Sequence, residues 1–148
     1  MKIDLEDIPG LEHFFSDPPK WKVKTCCLGG AGNLVLKKLD LWRNDPEMEE
    51  EYGQIIANIV VTACSEKIES DTPFVKKNRN PENGEVYEFR AFNENTERAG
   101  KARVLFFYDE DDENLIICTN TFEKGQGDQN MSFSQCAQLK QRYFQQRR

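Results

Sequence analysis

The sequence has 148 residues, of which 31% are charged and 38% hydrophobic, and its formal net charge is −6. These values are typical of one globular domain, and no apolar run approaches the roughly 20 residues that a membrane-spanning helix needs. The N-terminus is acidic where a secretory signal would be basic and then apolar, so we expect a cytoplasmic protein with no membrane partner.

The charge is unevenly distributed along the chain. Residues 1–74 contain 8 Lys and Arg against 14 Asp and Glu, whereas residues 75–148 contain 12 of each kind. The overall acidity argues against general nucleic-acid binding, but the second half of the chain still has the composition for a local basic site.

The chain has five cysteines, no C-x-x-C pair and one histidine. This pattern argues against a zinc site, and we expect neither a metal nor another cofactor. The cysteines are interpreted as small, buried apolar residues of a reducing compartment.

Residues 1–20 mix acidic and apolar side chains with prolines and a glycine. We interpret them as an irregular acidic arm with one helical turn near Leu11–Phe15, ahead of a single domain over 21–148. Trp21–Leu28 alternates with a period of two, which is typical of a strand. The GGAGN sequence at 29–33 lacks the spacings of phosphate-binding loops, so we interpret it as a turn in which Asn33 caps a helix.

Two helices are predicted next. Asn33–Arg43 fits a strand by alternation, but its leucines and lysines favour a short helix, which is the interpretation chosen. Asp45-Pro46-Glu47 indicates a second helix start, because a capping acid and an early proline suit the first turn. The apolar face of this helix extends from Met48 to Cys64, and the helix must end before Pro73.

The C-terminal half predicts a three-stranded antiparallel meander and a last helix. Thr72–Asn83 is a basic connector, and the strands are expected at Glu85–Phe92, 101–109 and 114–122 because short links favour pairing of sequential strands. Ser132 or Ser134 is expected to cap a helix that runs to about Gln145. The expected fold class is α+β, with a twisted antiparallel sheet, made of the N-terminal strand and the three-strand meander, packed with N-terminal helices and a C-terminal helix.

Four short sequences occur in order in this half: PFVKK (73–77), YEFR (87–90), ARVLFFYD (102–109) and FEK (122–124). Together with a polar gap and a helix containing Ala, Arg and Tyr, they resemble the RelE/ParE toxin superfamily, and most of all its HigB-like, phage-derived branch. The resemblance covers roughly residues 73–145.

The resemblance implies the toxin of a type II toxin–antitoxin module. Many members of the family are endoribonucleases that cleave mRNA on the ribosome without a metal, and the ParE branch inhibits DNA gyrase. The implied partners are mRNA on the ribosome and a cognate antitoxin, expected to be a small helix-turn-helix protein. The sequence does not indicate an oligomeric state.

The resemblance also implies candidate site residues. The candidate catalytic residues are Arg90, Arg103 and Lys124, and the candidate RNA-binding residues are Lys76, Lys77, Arg142 and Tyr143. Attack by the RNA 2′-hydroxyl needs a base, cations for the phosphate and an acid for the leaving oxygen. The arginines would supply charge, Lys124 or Lys77 would move protons if neighbouring cations lowered its pKa, and Tyr143 is a weaker candidate acid.

Each candidate also has a structural interpretation. Arg90 and Arg103 are alternatively cross-strand partners of Glu88 or Glu85, the lysines are alternatively solvated surface charges, and Tyr143 is alternatively a core residue.

Three features depart from the family pattern. The isoelectric point is near 4.9, the sequence GQGDQN after Lys124 has no positive charge, and the acidic arm is extra. The acidity and the missing lysines motivate one alternative, a catalytically weakened RelE-fold protein that acts by binding a protein partner. The ParE branch of the family provides another, a ParE-like gyrase inhibitor.

Overall fold

A single six-stranded sheet separates two layers of helices in the computed structural model, which describes residues 2–147. The strands are β1 Asp4–Glu6, β2 Lys22–Cys27, β3 Val75–Lys77, β4 Tyr87–Asn93, β5 Arg98–Asp109 and β6 Leu115–Glu123. The helices are α1 Leu34–Arg43, α2 Glu49–Ala63 and α3 Gln129–Arg147. None of the described helices is both long enough and apolar enough to cross a membrane.

The strand order is β1-β2-β6-β5-β4-β3, and the α+β class predicted from the sequence is confirmed. The meander β4–β5–β6 is antiparallel as predicted, whereas β2 pairs with β6 in parallel, so the sheet is mixed. Short links determine how strands adjacent in sequence pair, but they carry no information about the direction of a strand that joins the sheet from far away.

Two short strands lie in segments that the sequence predicted to be irregular. β1 lies in the acidic arm and pairs with β2, and β3 lies in the basic connector and pairs with β4. Three residues are too few for a period-two pattern to be visible, which is why the alternation did not reveal them. The arm is further tied to α3, where the Gln146 amide bonds both backbone polar groups of Ile3 at 2.7 and 2.8 Å.

The helix boundaries confirm one predicted cap and correct two. Asn33 accepts a hydrogen bond from the Leu36 amide at 3.0 Å and caps α1 as predicted. Asp45 instead closes a turn by accepting from the Glu47 amide, so α2 begins four residues later. The prediction that Ser132 or Ser134 caps the last helix is wrong, because α3 already begins at Gln129 and Asp128 accepts from its first amides.

The cores on the two faces of the sheet differ in extent. The α1 and α2 layer buries a continuous apolar cluster that includes Trp21, Trp42 and Phe106. α3 covers the opposite face only in part. Near the start of this helix, Phe133 belongs to a small apolar cluster with Leu105 and Phe122. The interpretation of the cysteines is confirmed for the three that are buried and reduced, which are Cys26, Cys118 and Cys136. Cys64 is exposed and Cys27 is intermediate.

A bulge in β5 joins α2 to the sheet. Between the pairs Arg90–Arg103 and Phe92–Ala99, β5 has three residues, Gly100 to Ala102, opposite the single residue Ala91 of β4. The Glu51 carboxylate of α2 accepts hydrogen bonds from the amides of Lys101 and Ala102, at 2.5 and 2.8 Å. A bulge leaves backbone groups unpaired in the ladder, and here a helix side chain satisfies them.

Gly100→Ala is expected to destabilise the fold by about 1–2 kcal/mol, because a Cβ there would clash with Glu51 Oε1 and displace that carboxylate from both amides. Gly53→Ala, in an exposed turn of α2 with nothing within 4 Å of the new Cβ, is the matched control. The control is expected to stabilise by about 0.5–1 kcal/mol through helix propensity. Urea denaturation measures both, and equal effects of the same sign would contradict the role of Glu51.

Candidate functional site

The charged residues of β4 lie on the face of the sheet that α3 leaves partly uncovered. Tyr87, Phe89 and Ala91 belong to the core under α1 and α2. Because side chains alternate along a strand, Glu88 and Arg90 point to the opposite face. The register places Lys76 of β3 across from Glu88, and Arg103 of β5 across from Arg90.

These residues form a charged cluster that begins where the apolar cluster beneath α3 ends. Arg103 pairs with Phe122, the outermost aromatic residue of that apolar cluster on β6. Lys124 follows two positions later, on the same face, and its backbone amide donates to the Lys101 carbonyl at 2.8 Å. We define the charged cluster as Lys76, Glu88, Arg90, Arg103 and Lys124.

Glu88 is the buried centre of the charged cluster. Its side chain is 9% exposed, and its Oε1 lies 3.6 Å from Arg90 Nε and 3.8 Å from Arg103 Nε. Among the described residues, its Oε2 has no hydrogen-bond partner. Burial raises the pKa of Glu88, while the positive charges of Arg103, Arg90, Lys124 and Lys76 lower it, and the balance leaves the pKa above its ordinary value.

Arg103 is held rigidly in the floor of the charged cluster. Its Nη1 donates to the carbonyls of Gly100 and Ala102, at 2.6 and 2.9 Å, so it satisfies the acceptors of the same bulge whose donors bind Glu51. The side chain is 2% exposed. Burial lowers the pKa of Arg103, and the nearby Glu88 carboxylate opposes that change.

Arg90 has a fixed backbone and a loosely held side chain. Its amide donates to the Phe74 carbonyl at 2.9 Å, and its carbonyl accepts from the Asn58 side chain at 2.7 Å. Its side chain is 21% exposed, and its buried Nε has no hydrogen-bond partner among residues 2–147. Within the described part of the chain, an incoming anion therefore competes with one 3.6 Å ion pair, to Glu88, for this guanidinium.

The two lysines lie at the rim of the charged cluster. Lys124 is exposed, and Lys76 is about one third exposed, with its Nζ 3.5 Å from the Asp71 carboxylate. Both charges are close enough to Glu88 to lower its pKa. The cluster therefore sets four cations around one carboxylate, a suitable arrangement for a phosphate group that arrives from solvent.

The other three candidates lie outside the charged cluster. Lys77 pairs with Tyr87, so it faces the α1 and α2 side, and its Nζ donates to Glu85 at 3.1 Å. Arg142 is exposed on α3, next to Tyr143. The Tyr143 ring packs against Phe107, which is four residues from Arg103 and therefore about 13 Å away along β5.

Tyr143 and Arg147 attach the end of α3 to the end of β5. The Tyr143 hydroxyl donates to Asp109 Oδ2 at 2.8 Å, and Arg147 Nη1 donates to the same oxygen at 2.5 Å. Burial and the Asp109 carboxylate raise the pKa of Tyr143 to about 12. Burial raises the pKa of Asp109, but the bonds from Asp111, Tyr143 and Arg147 outweigh it and hold that pKa below its ordinary value.

The sequence interpretation missed Glu88 as a possible functional residue. The YEFR motif contained a usable signal, because period-two alternation places Glu88 on the same face as Arg90. The burial of Glu88 was not visible in the motif, since it depends on Arg103 and Lys76 arriving from the neighbouring strands.

Comparison with protein-family models, with curated proteins and with solved structures found no match to this chain.

Tyr143→Phe is expected to reduce the free energy of unfolding by about 1–2 kcal/mol, because it removes one charge-assisted hydrogen bond to a buried carboxylate. The charged cluster does not use this hydroxyl, so any activity of the cluster is expected to be retained in folded protein. Thermal denaturation measures the first effect. A Tyr143→Phe protein with unchanged stability would contradict the hydrogen bond to Asp109.

Asp109→Asn is expected to destabilise the fold at pH 7, with the loss shrinking as the pH falls below about 4, the ordinary Asp value. The folded-state pKa of Asp109 is lowered, so its stabilisation is present above the unfolded-state value and is lost as the pH falls through the folded-state value. Denaturation at pH 7 and at pH 3 measures the difference. Asp112→Asn, in the exposed hairpin turn, is the control and is expected to show little pH-dependent loss.

Proposed function

We propose that this chain is a RelE/HigB-like toxin of a type II toxin–antitoxin module and that it cleaves mRNA on the ribosome. One observation carries the proposal. Each of the four sequences on which the resemblance rests contributes one cation to the charged cluster: Lys76 from PFVKK, Arg90 from YEFR, Arg103 from ARVLFFYD and Lys124 from FEK. Residues from four separate segments thus meet at one end of one sheet face.

The chemistry of the cluster suits cleavage by the RNA 2′-hydroxyl without a metal. In that reaction the 2′-oxygen bonds to phosphorus, the bond from phosphorus to the 5′-oxygen breaks, and the products are a 2′,3′-cyclic phosphate and a 5′-hydroxyl. Negative charge accumulates on the phosphate in the transition state, where preorganised cations are most effective. Arg90 is mobile enough to grip the phosphate, and Arg103 supplies a fixed charge beneath it.

Lys124 is the best placed of these residues to protonate the leaving 5′-oxygen. It is exposed at the rim of the cluster, and a lysine ammonium carries the proton that the leaving group needs. The overall net charge of −6 is compatible with this role, because the cations are concentrated at one place while the whole excess of acid lies in residues 1–74. A local basic site on an acidic protein favours a specific nucleic-acid complex over general binding.

Induction of the protein in a bacterial host is expected to arrest growth, and Arg90→Ala is expected to relieve the arrest. Loss of one cation at the transition state typically lowers a rate by about 10²–10³-fold. Arg43→Ala is the matched control, since this exposed arginine of α1 lies in the other layer of the fold and pairs there with Asp40. Full toxicity of the Arg90→Ala protein, at equal expression, would remove Arg90 from the site.

Primer-extension mapping of mRNA from induced cells separates the proposal from its two alternatives. Cuts at codons in the ribosomal A site support the endoribonuclease. Growth arrest without cuts supports the RelE-fold protein that acts by binding a protein partner, for which the burial of Arg103 is a favourable observation. Inhibition of supercoiling by purified gyrase would support the ParE-like alternative.

A further inference from the structure

We propose that Glu88 is the general base that accepts the proton of the RNA 2′-hydroxyl. The inference rests on the proposed endoribonuclease function and adds a catalytic residue to it. The proposed base is a carboxylate, whereas from the sequence we expect Lys124 or Lys77 to move protons.

The first argument is a pair of neighbouring buried atoms without partners. Glu88 Oε2 and Arg90 Nε are both closed to solvent, and within residues 2–147 neither makes a hydrogen bond. Most buried polar atoms in native proteins have a partner, so two such exceptions in one ion pair require an explanation. One is an acceptor and the other is a donor, which together match a ligand group that both donates and accepts.

The 2′-hydroxyl of ribose is such a group. Its O–H can donate to Glu88 Oε2 while its oxygen accepts from Arg90 Nε–H, and DNA has no equivalent group. The phosphate that the 2′-oxygen attacks is adjacent to it in the strand, which places the phosphate among the cations of the charged cluster. One binding mode therefore positions both reacting groups.

The second argument concerns protonation. A general base must be unprotonated before the reaction and is most effective when its pKa is near the working pH. The four cations favour the ionised form of Glu88, and its burial raises its pKa towards neutrality. A lysine in the same cluster is a poorer base, because it must first lose a proton.

Arg90 provides the access that Glu88 needs. Oε2 is closed in the unliganded chain, so a neighbouring side chain must move before a substrate reaches it. Arg103 is bonded to two carbonyls, whereas the partly exposed Arg90 guanidinium makes a single ion pair among residues 2–147. A 2′-hydroxyl that enters between Arg90 and Glu88 replaces that ion pair, which makes Oε2 accessible while Arg90 Nε stays within hydrogen-bonding reach of the 2′-oxygen.

The proposed step is balanced. Glu88 Oε2 takes the proton of the 2′-hydroxyl as the 2′-oxygen bonds to phosphorus, and the leaving 5′-oxygen takes a proton from Lys124. Exchange with water then returns Glu88 to its ionised form and Lys124 to its protonated form. No oxidant, reductant or second substrate is required.

The test compares wild type, Glu88→Gln and Glu88→Asp on ribosomes programmed with mRNA. Single-turnover cleavage measures the chemical step, and binding is measured with mRNA that carries a 2′-deoxy nucleotide at the cleaved position. Glu123→Gln is the matched control, because this partly buried carboxylate pairs with Lys38 on the other face of the same sheet.

Glu88→Gln is expected to lower the cleavage rate by about 10²–10⁴-fold, with binding of the 2′-deoxy mRNA complex retained. The wild-type rate is expected to rise with pH to a plateau, and the variant is expected to lose that rise. Glu88→Asp keeps the negative charge beside Arg103 but withdraws the carboxylate by one methylene, so it is expected to fold and to cleave at least about tenfold more slowly. It therefore tests the base even if Glu88→Gln unfolds.

The outcomes distinguish the two proposals. Wild-type protein that fails to cleave ribosome-bound mRNA removes the endoribonuclease, and with it the role of Glu88. Wild-type cleavage with an equal rate and pH profile in Glu88→Gln and Glu88→Asp overturns only the assignment of the base. If the Glu88 variants lose binding of the 2′-deoxy mRNA as much as they lose cleavage rate, Glu88 is not the base and instead holds Arg103 in place.

Discussion

The bulge in β5 is the constraint on which the candidate site depends. It places Gly100 to Ala102 outside the regular ladder with β4, with donors and acceptors that β4 does not satisfy. Glu51 binds the donors from one layer, and Arg103 binds the acceptors from within the sheet. By binding these carbonyls, the Arg103 side chain is also buried against Glu88. The bulge therefore determines where the positive charge of Arg103 lies.

Arg103 both completes the bulge and supplies a buried positive charge to the site. Burial of a guanidinium is unfavourable unless its hydrogen bonds and charge are compensated, and here two carbonyls and one carboxylate provide the compensation. These interactions also fix the Arg103 side chain. Arg90 is therefore the arginine that can change position when a substrate binds. A pair with one fixed and one mobile arginine combines a preorganised charge with a group that can uncover the carboxylate beneath it.

The acidic arm and the basic end of the sheet are compatible because they are separated. β1 lies at one edge of the sheet, and Lys76 lies on the strand at the other edge. Screening in physiological salt limits interactions between exposed charges to about 8 Å, so the arm does not neutralise the cluster. The net charge of the chain is therefore a poor guide to the potential at the site.

The sequence predicted most of the regular elements because their patterns are long enough to recognise. About four turns of apolar periodicity, or eight alternating residues, identify α2, β2 and the meander, and the α+β class follows from their order. The short strands β1 and β3 were missed because three residues carry no period. The start of α2 was missed because Asp45 closes a turn instead of capping the helix. The start of α3 was missed because Asp128, which accepts from the first amides, lies in a polar, glycine-rich segment that was interpreted as irregular.

By itself, the sequence determined which cations the second half of the chain offers, and it placed Arg90 and Arg103 on two successive strands. It could not determine which of them meet, because that depends on strand register, on the bulge, and on how far α3 extends over the sheet. Tertiary structure brought Lys76, Arg90, Arg103 and Lys124 around Glu88 and left Lys77, Arg142 and Tyr143 elsewhere. The physical reason is that burial and electrostatic coupling act between side chains close in space, and the chain order of these residues does not record that proximity.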